Sequence, residues 1–206
     1  LHFNVIVVAL LSLAPCANAS ALSLRGVGVY KTGETSSGTY ASKGSIDPHY
    51  TAIGVSSVFI ENSNPGVWIA PDTTAQYIGP DSLYTLDYDV SFDLTGYDPN
   101  SVVINGKWSA DNVGNNITVN GHSTGDTAQG FSGFTSFTLN SGFKSGVNTI
   151  DFSWTNQGGP GGLLVEFTSI SGNAASSTPE PSTLAIGALG LAFSQCPASA
   201  ADRLSV

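Results

Sequence analysis

Between Tyr84 and Leu94 the chain alternates without a break. Tyr84, Leu86, Tyr88, Val90, Phe92 and Leu94 fall on one side, and Thr85, Asp87, Asp89, Ser91 and Asp93 on the other. An extended chain turns successive side chains to opposite faces, so this pattern demands a strand with one face on a core and the other in water. At helical spacing the same apolar residues would scatter around the whole circumference. Shorter versions recur at Val55–Ile60, Val102–Trp108, Asn116–Val119, Phe134–Leu139, Thr149–Trp154 and Leu163–Ile170. Turn residues punctuate them, as in Asp98-Pro99-Asn100 and Asn156-Gln157-Gly158-Gly159-Pro160. No segment between the two ends of the chain holds a helical period, and there is no internal repeat of solenoid or propeller length. The expectation is an all-β fold, an antiparallel β-sandwich of jelly-roll type, over residues 20–170.

Composition narrows the function. The 206 residues carry a formal net charge of −9, with only six Lys plus Arg, scattered as Arg25, Lys31, Lys43, Lys107, Lys144 and Arg203. Such a chain has no basic patch with which to neutralise a run of phosphates, so nucleic acid is excluded as a partner. The two cysteines, Cys16 and Cys196, lie outside the strand-rich region. That region therefore folds without disulfides and has neither a thiolate metal site nor a cysteine nucleophile.

Both ends read as targeting segments. Val5 to Leu13 is an apolar run closed by Pro15, and Ala17-Asn18-Ala19 sets small residues before a cleavage point after Ala19. Residues 1–19 thus read as a secretory signal, although Leu1 opens the chain and no basic residue precedes the apolar run. Residues 171–178 form a small, polar linker. Thr178-Pro179-Glu180-Pro181-Ser182-Thr183 follows, then the apolar, Gly-interrupted run Leu184–Phe193.

This C-terminal arrangement resembles the PEP-CTERM sorting signal. In that family a Pro-Glu-Pro motif precedes a hydrophobic helix and an Arg-rich end. The resemblance over 179–193 implies an exosortase-type processing enzyme as a partner. It also implies only transient membrane contact through the targeting segments, and export to the outer envelope or exterior of a Gram-negative bacterium. The apolar run is shorter than the ~20 residues a spanning helix needs. The tail 194–206 is polar, with Arg203 as its one cation.

The middle of the chain carries a second likeness. Phe92–Pro99, Ile104-Asn105-Gly106-Lys107-Trp108-Ser109-Ala110-Asp111-Asn112, Ile117–Gly121, Asn148–Phe152 and Gly162–Glu166 resemble galactose-binding-like jelly rolls. Such modules often carry a Trp, an Asp-Asn pair and a strand ending in Asn-Gly. The likeness implies a fold, and carbohydrate as one ligand class among many.

Candidate chemistry follows from residue type. A flat indole can stack on a sugar ring. Trp154 and Trp108 share parity with aliphatic neighbours and read as core or core edge, whereas Trp68 opposes Val67 and Ile69 and reads as exposed. Trp68, Trp108, Asp111, Asn112 and Asn120 are the ligand-binding candidates. Asp111, Asn115 and Asn116 form an oxygen cluster suited to calcium, to a sugar hydroxyl, or to plain turn chemistry. Asp87, Asp89 and Asp93 offer calcium ligands on one reading and a solvated sheet face on the other. No cofactor is expected beyond that calcium. His49 and His122 sit in no metalloprotease spacing, and no pair of acids stands out as a glycosidase couple. The function expected is therefore non-catalytic: an envelope or exopolysaccharide-matrix protein. The alternative is a carbohydrate-binding module for extracellular polysaccharide, and a more distant one is a glycoside-active enzyme. Deleting Pro179–Phe193 should change where the protein accumulates, as read by cell fractionation.

Overall fold

The structure, a computed structural model, describes residues 22–53, 58–63, 67–73 and 83–176. The signal segment 1–19 with Ala19, the motif Pro179, Glu180 and Pro181, and the tail lie outside the described residues. Among the described residues eleven strands run in chain order: β1 (Tyr50–Ala52), β2 (Phe59–Ser63), β3 (Val67–Ala70), β4 (Leu83–Asp93), β5 (Val103–Asp111), β6 (Val113–Val119), β7 (His122–Ser123), β8 (Ala128–Gln129), β9 (Thr135–Leu139), β10 (Val147–Gln157) and β11 (Gly162–Ser171). Among the described residues, helix is confined to the single turn α1 (Leu24–Val27), capped by Ser23, and a 3-10 turn at Pro99–Ser101.

These strands form two antiparallel sheets packed face to face, a β-sandwich. The first runs β1-β4-β10-β6-β7, with β8 also on β6; the second runs β2-β3-β11-β5-β9. From β4 to β6 and again from β9 to β11, each strand lies in the opposite sheet from the one before it. The alternation in the sequence therefore faces one shared core. Tyr88, Val90, Phe92 and Leu94 point inward and are buried, as expected from their spacing.

β10 supplies Ile150, Phe152 and Trp154 to the same core. Phe152 is its hub. Its ring lies 5.6 Å from Trp108, 5.9 Å from Phe137 and 6.2 Å from Phe167, mostly edge to face. That geometry sets the positive edge of one ring on the negative face of the next.

β6, β10 and β11 extend past the sequence-based boundaries. Pairing also continues beyond residue 170: Asp98 N donates to Asn173 O, and Ala175 N to Gly96 O. This stretch, expected in the linker, is held against the first turn after β4.

The N-terminal segment is fastened by polar contacts that no periodicity announces. Thr32 N donates to Val165 O. The buried Asp47 carboxylate accepts from the backbone N–H groups of Gly33, His49 and Tyr50 at 2.6–2.9 Å. Burial nonetheless holds the Asp47 carboxyl above the usual carboxylate range, against the opposing pull of those bonds.

β6 is bulged. Ser153 faces Asn116 while Trp154 faces Gly114, so Asn115 is the extra residue. The bulge sets Gly114 beneath the indole of Trp108. A Cβ there would fall 2.4 Å from Trp108 Cη2 and 2.9 Å from Ala128 Cβ. Trp108 is fully buried and cannot swing aside. Replacing a glycine can stabilise a fold by ~0.4–1 kcal/mol through the unfolded chain. Overpacking a core costs about 1–3 kcal/mol, so the steric effect wins. Gly114→Ala should lower stability in denaturant titration by roughly 1–2 kcal/mol.

Candidate functional site

The outward face of the first sheet is polar across its width. Register places Thr51 opposite Asp89, Asp89 opposite Asp151, Asp151 opposite Thr118, and Thr118 opposite Ser123. One row of short polar side chains thus crosses β1, β4, β10, β6 and β7. Neighbouring rows repeat the theme. Thr85 and Thr155 hydroxyls meet at 2.7 Å, and Asn115 Nδ2 donates to Thr155 Oγ1. The bulge in β6 is what brings Asn115 to this face.

The row crosses an open groove of about 350 Å³. Asp89, Asp151, Thr118 and Thr149 line it from the sheet, Asn120 and Gly121 from the turn after β6. Ile53, which is 68% exposed, forms an apolar rim at one edge, and Lys144 completes the lining from the loop before β10.

That loop is held by one buried amide. Asn148, fully buried, accepts from Lys144 N and donates to Lys144 O and Gly146 O. Asn120 Nδ2 donates to both Asn148 Oδ1 and Gly142 O, while its Oδ1 accepts from Thr149 N. Asn120 itself sits at φ 50°, a left-handed conformation that Asn tolerates, followed by Gly121 at φ 81°. This Asn-Gly pair is the turn of a two-residue hairpin.

The carboxyls of Asp89 and Asp151 sit on directly opposed positions of the paired strands β4 and β10. Burial is the main cause that pushes the Asp151 carboxyl up to about 7, helped by the charge of Asp87 and the nearness of Asp89. Burial also holds Asp89 above the usual carboxylate range. Asp93, fully exposed on the same strand, is held below that range because it accepts from the hydroxyl and backbone N–H of Thr95.

The residues singled out from the sequence separate in space. Asn120 lines the groove. Trp108 is 0% exposed and packs on Phe152, so its ring is closed to a ligand. A short apolar stretch does not reveal that Phe152 and Gly114 of the opposite sheet lie against the ring. Trp68 is partly buried on the second sheet, where its Cε3 lies close above Gly162. Asp111 pairs with that same Gly162, and burial raises its carboxyl above the usual range. Asn112 Oδ1 accepts from Gln157 N at 2.6 Å. Asn116 Oδ1 accepts from Ser123 Oγ and Gly125 N.

The set Asp111, Asn115 and Asn116 is therefore divided between the two sheets. Asp111 ends a strand of the second sheet, and the two asparagines serve hydrogen bonds within the first. Among the described residues, no group of three or more His, Cys, Asp or Glu is placed to hold a metal ion.

Three features escaped the sequence reading. Asp151 is opposed to Asp89 only through pairing of distant strands. Asn148 and Asn156 occupy inward positions at the two ends of the apolar face of β10; a polar residue on core parity was the available signal. Gly121-His122-Ser123-Thr124-Gly125 carries the Gly-x-Ser-x-Gly pattern of a nucleophile elbow. An elbow turns from strand into helix, whereas this segment is a strand-to-strand hairpin whose serine donates to Asn116.

No protein-family model and no curated protein sequence matches this chain. The site is therefore argued from its own chemistry. Removing the buried amide that carries the Lys144 loop strands several backbone groups, each worth ~1–3 kcal/mol when left unpaired. Asn148→Ala should cost about 3 kcal/mol in chemical denaturation and speed amide hydrogen exchange from Gly142 to Asn148.

Proposed function

We propose that this chain is an exported, non-catalytic protein of the cell envelope or exopolysaccharide matrix of a Gram-negative bacterium, and that its sandwich holds extracellular polysaccharide in the groove of the first sheet. In this reading the segment around Pro179-Glu180-Pro181 addresses it to an exosortase-type enzyme. The signal cleaved after Ala19 starts its export. The sandwich is then of the jelly-roll, galactose-binding-like type, a reading supported by strands that cross between antiparallel sheets from β4 to β6 and from β9 to β11.

The observation that carries the ligand class is the row Thr51–Asp89–Asp151–Thr118–Ser123. It sets hydroxyl and carboxyl groups in line across the sheet face, with Asp89, Asp151 and Thr118 lining the groove, as a chain of sugar hydroxyls requires. These side chains are short and sit on paired strands, so little conformational entropy is lost when they are engaged. The exposed Ile53 at the rim offers an apolar surface to the C–H face of a sugar ring.

One observation favours binding over hydrolysis. The serine of the Gly-x-Ser-x-Gly stretch is bonded to an asparagine within its hairpin.

The purified full chain, presented with a panel of neutral and acidic polysaccharides in a pull-down, should retain at least one. Thr118→Val removes one hydroxyl from the groove floor. It should weaken that retention about 3- to 10-fold, the value of one hydrogen bond, with the melting temperature unchanged. A loss with Trp68→Ala instead would move the ligand to the second sheet. Retention of none would remove the carbohydrate reading.

A further inference from the structure

β4 and β10 pair along eleven residues each, with Asp89 directly opposite Asp151 near the middle. Two carboxyls opposed on paired strands repel when both are charged, which favours one proton held between them at this wall of the groove. The surroundings offer little to replace it. Asp87, two positions along β4, adds a third carboxylate. β1 presents Thr51, β6 presents Thr118, and the turn after β6 presents Asn120, none of them charged. Lys144, from the loop before β10, is the cation lining the groove.

We propose that the Asp89–Asp151 pair is a proton-operated switch in the groove wall, closed while the two carboxyls share a proton and opened by its loss. In the closed state the carboxyls bridge the two central strands and this face of the sheet carries two negative charges, on Asp87 and the pair. When the proton leaves, the face carries three, and like charges facing each other across a strand pair repel. The strands are zipped by their backbone bonds, so the side chains turn apart and the floor of the groove changes shape. The Asp151 carboxyl, pushed up to about 7, sets the working range around neutrality. The consequence for ligands rests on the polysaccharide reading: a polymer bearing its own carboxylates is held at mildly acid pH and released above neutrality.

The sign for stability follows. The folded chain holds this proton more tightly than the unfolded chain, whose aspartates titrate near 3.9. The stabilisation is therefore complete below about pH 4 and is lost as pH rises through about 7.

The test compares the full wild-type chain with Asp151→Asn, which keeps a donor toward Asp89 and cannot ionise. Carbon-13 NMR of the aspartate carboxyls should show one titration near neutrality sensed at both 89 and 151. In the variant, Asp89 should lose that step. The melting temperature of the wild type should fall between pH 4 and 7, and that of Asp151→Asn should lose this decline. Both carboxyls titrating independently below pH 5 would overturn the switch.

Polygalacturonate and dextran serve as acidic and neutral probes. Wild-type retention of polygalacturonate should drop about five-fold from pH 5.5 to 8, the size of one charge contact at 4 Å in water, and Asp151→Asn should hold its pH 5.5 level. Retention independent of pH would overturn the gating. If neither polymer is retained at either pH, the carbohydrate reading fails, while the NMR titration still decides whether the proton is shared.

Discussion

The structure depends on the antiparallel pairing of β4 with β10. Each is eleven residues long, and the two run side by side through the middle of the first sheet. On the inner side this pairing sets Val90 opposite Ile150 and Tyr88 opposite Phe152, both pairs buried. On the outer side it sets Asp89 opposite Asp151, with Ser91 and Thr149 beside them. Core and groove are therefore two faces of one ladder. Because the side-chain period of a strand is two, slipping this register by one residue would put carboxylates in the core and phenylalanine in water. The apolar face holds the polar face in register.

The second constraint is how the sandwich ends. Strands that cross between sheets must turn, and each turn leaves backbone groups with no ladder partner. The protein meets this at both ends of β10 with a buried asparagine. Asn148 gathers the loop that carries Lys144, and Asn156 donates to Gly159 O and accepts from Gly158 N. Asp47 does the same for the N-terminal segment with three backbone donors. These buried polar groups organise the loops around the sheets, and one of them, through Asn120, reaches the groove.

In the proposed function the groove joins recognition to charge. The chain carries a net charge of −9, and Asp87, Asp89 and Asp151 place part of it on the outward face of the first sheet. Aligned hydroxyls and carboxyls would suit a polyhydroxylated polymer, and the crowding of carboxylates would make the affinity for a charged one depend on protonation. Short side chains on paired strands keep that surface rigid, so the proposed shared proton is the part of it that changes with conditions.

The alternation of Tyr84–Leu94 by itself determined that β4 is a strand and which of its side chains face in, because that period is local. The β-sandwich class followed from its repetition along the chain. Some limits were also local: Asn120-Gly121 marks its turn wherever it occurs. Parity already put Trp108 in the core or at its edge, as its burial shows, but the chain alone could not say that Gly114 meets its ring, since the bulge at Asn115 arises only when β6 pairs with β10. Nor could it say that Trp68 and Asp111 both neighbour Gly162 while Asn115 and Asn116 belong to the other sheet. The meeting of Asp89 with Asp151 is of the same kind. Which strand lies beside which is decided by closing long loops around a shared core, a nonlocal choice that no short window of residues records.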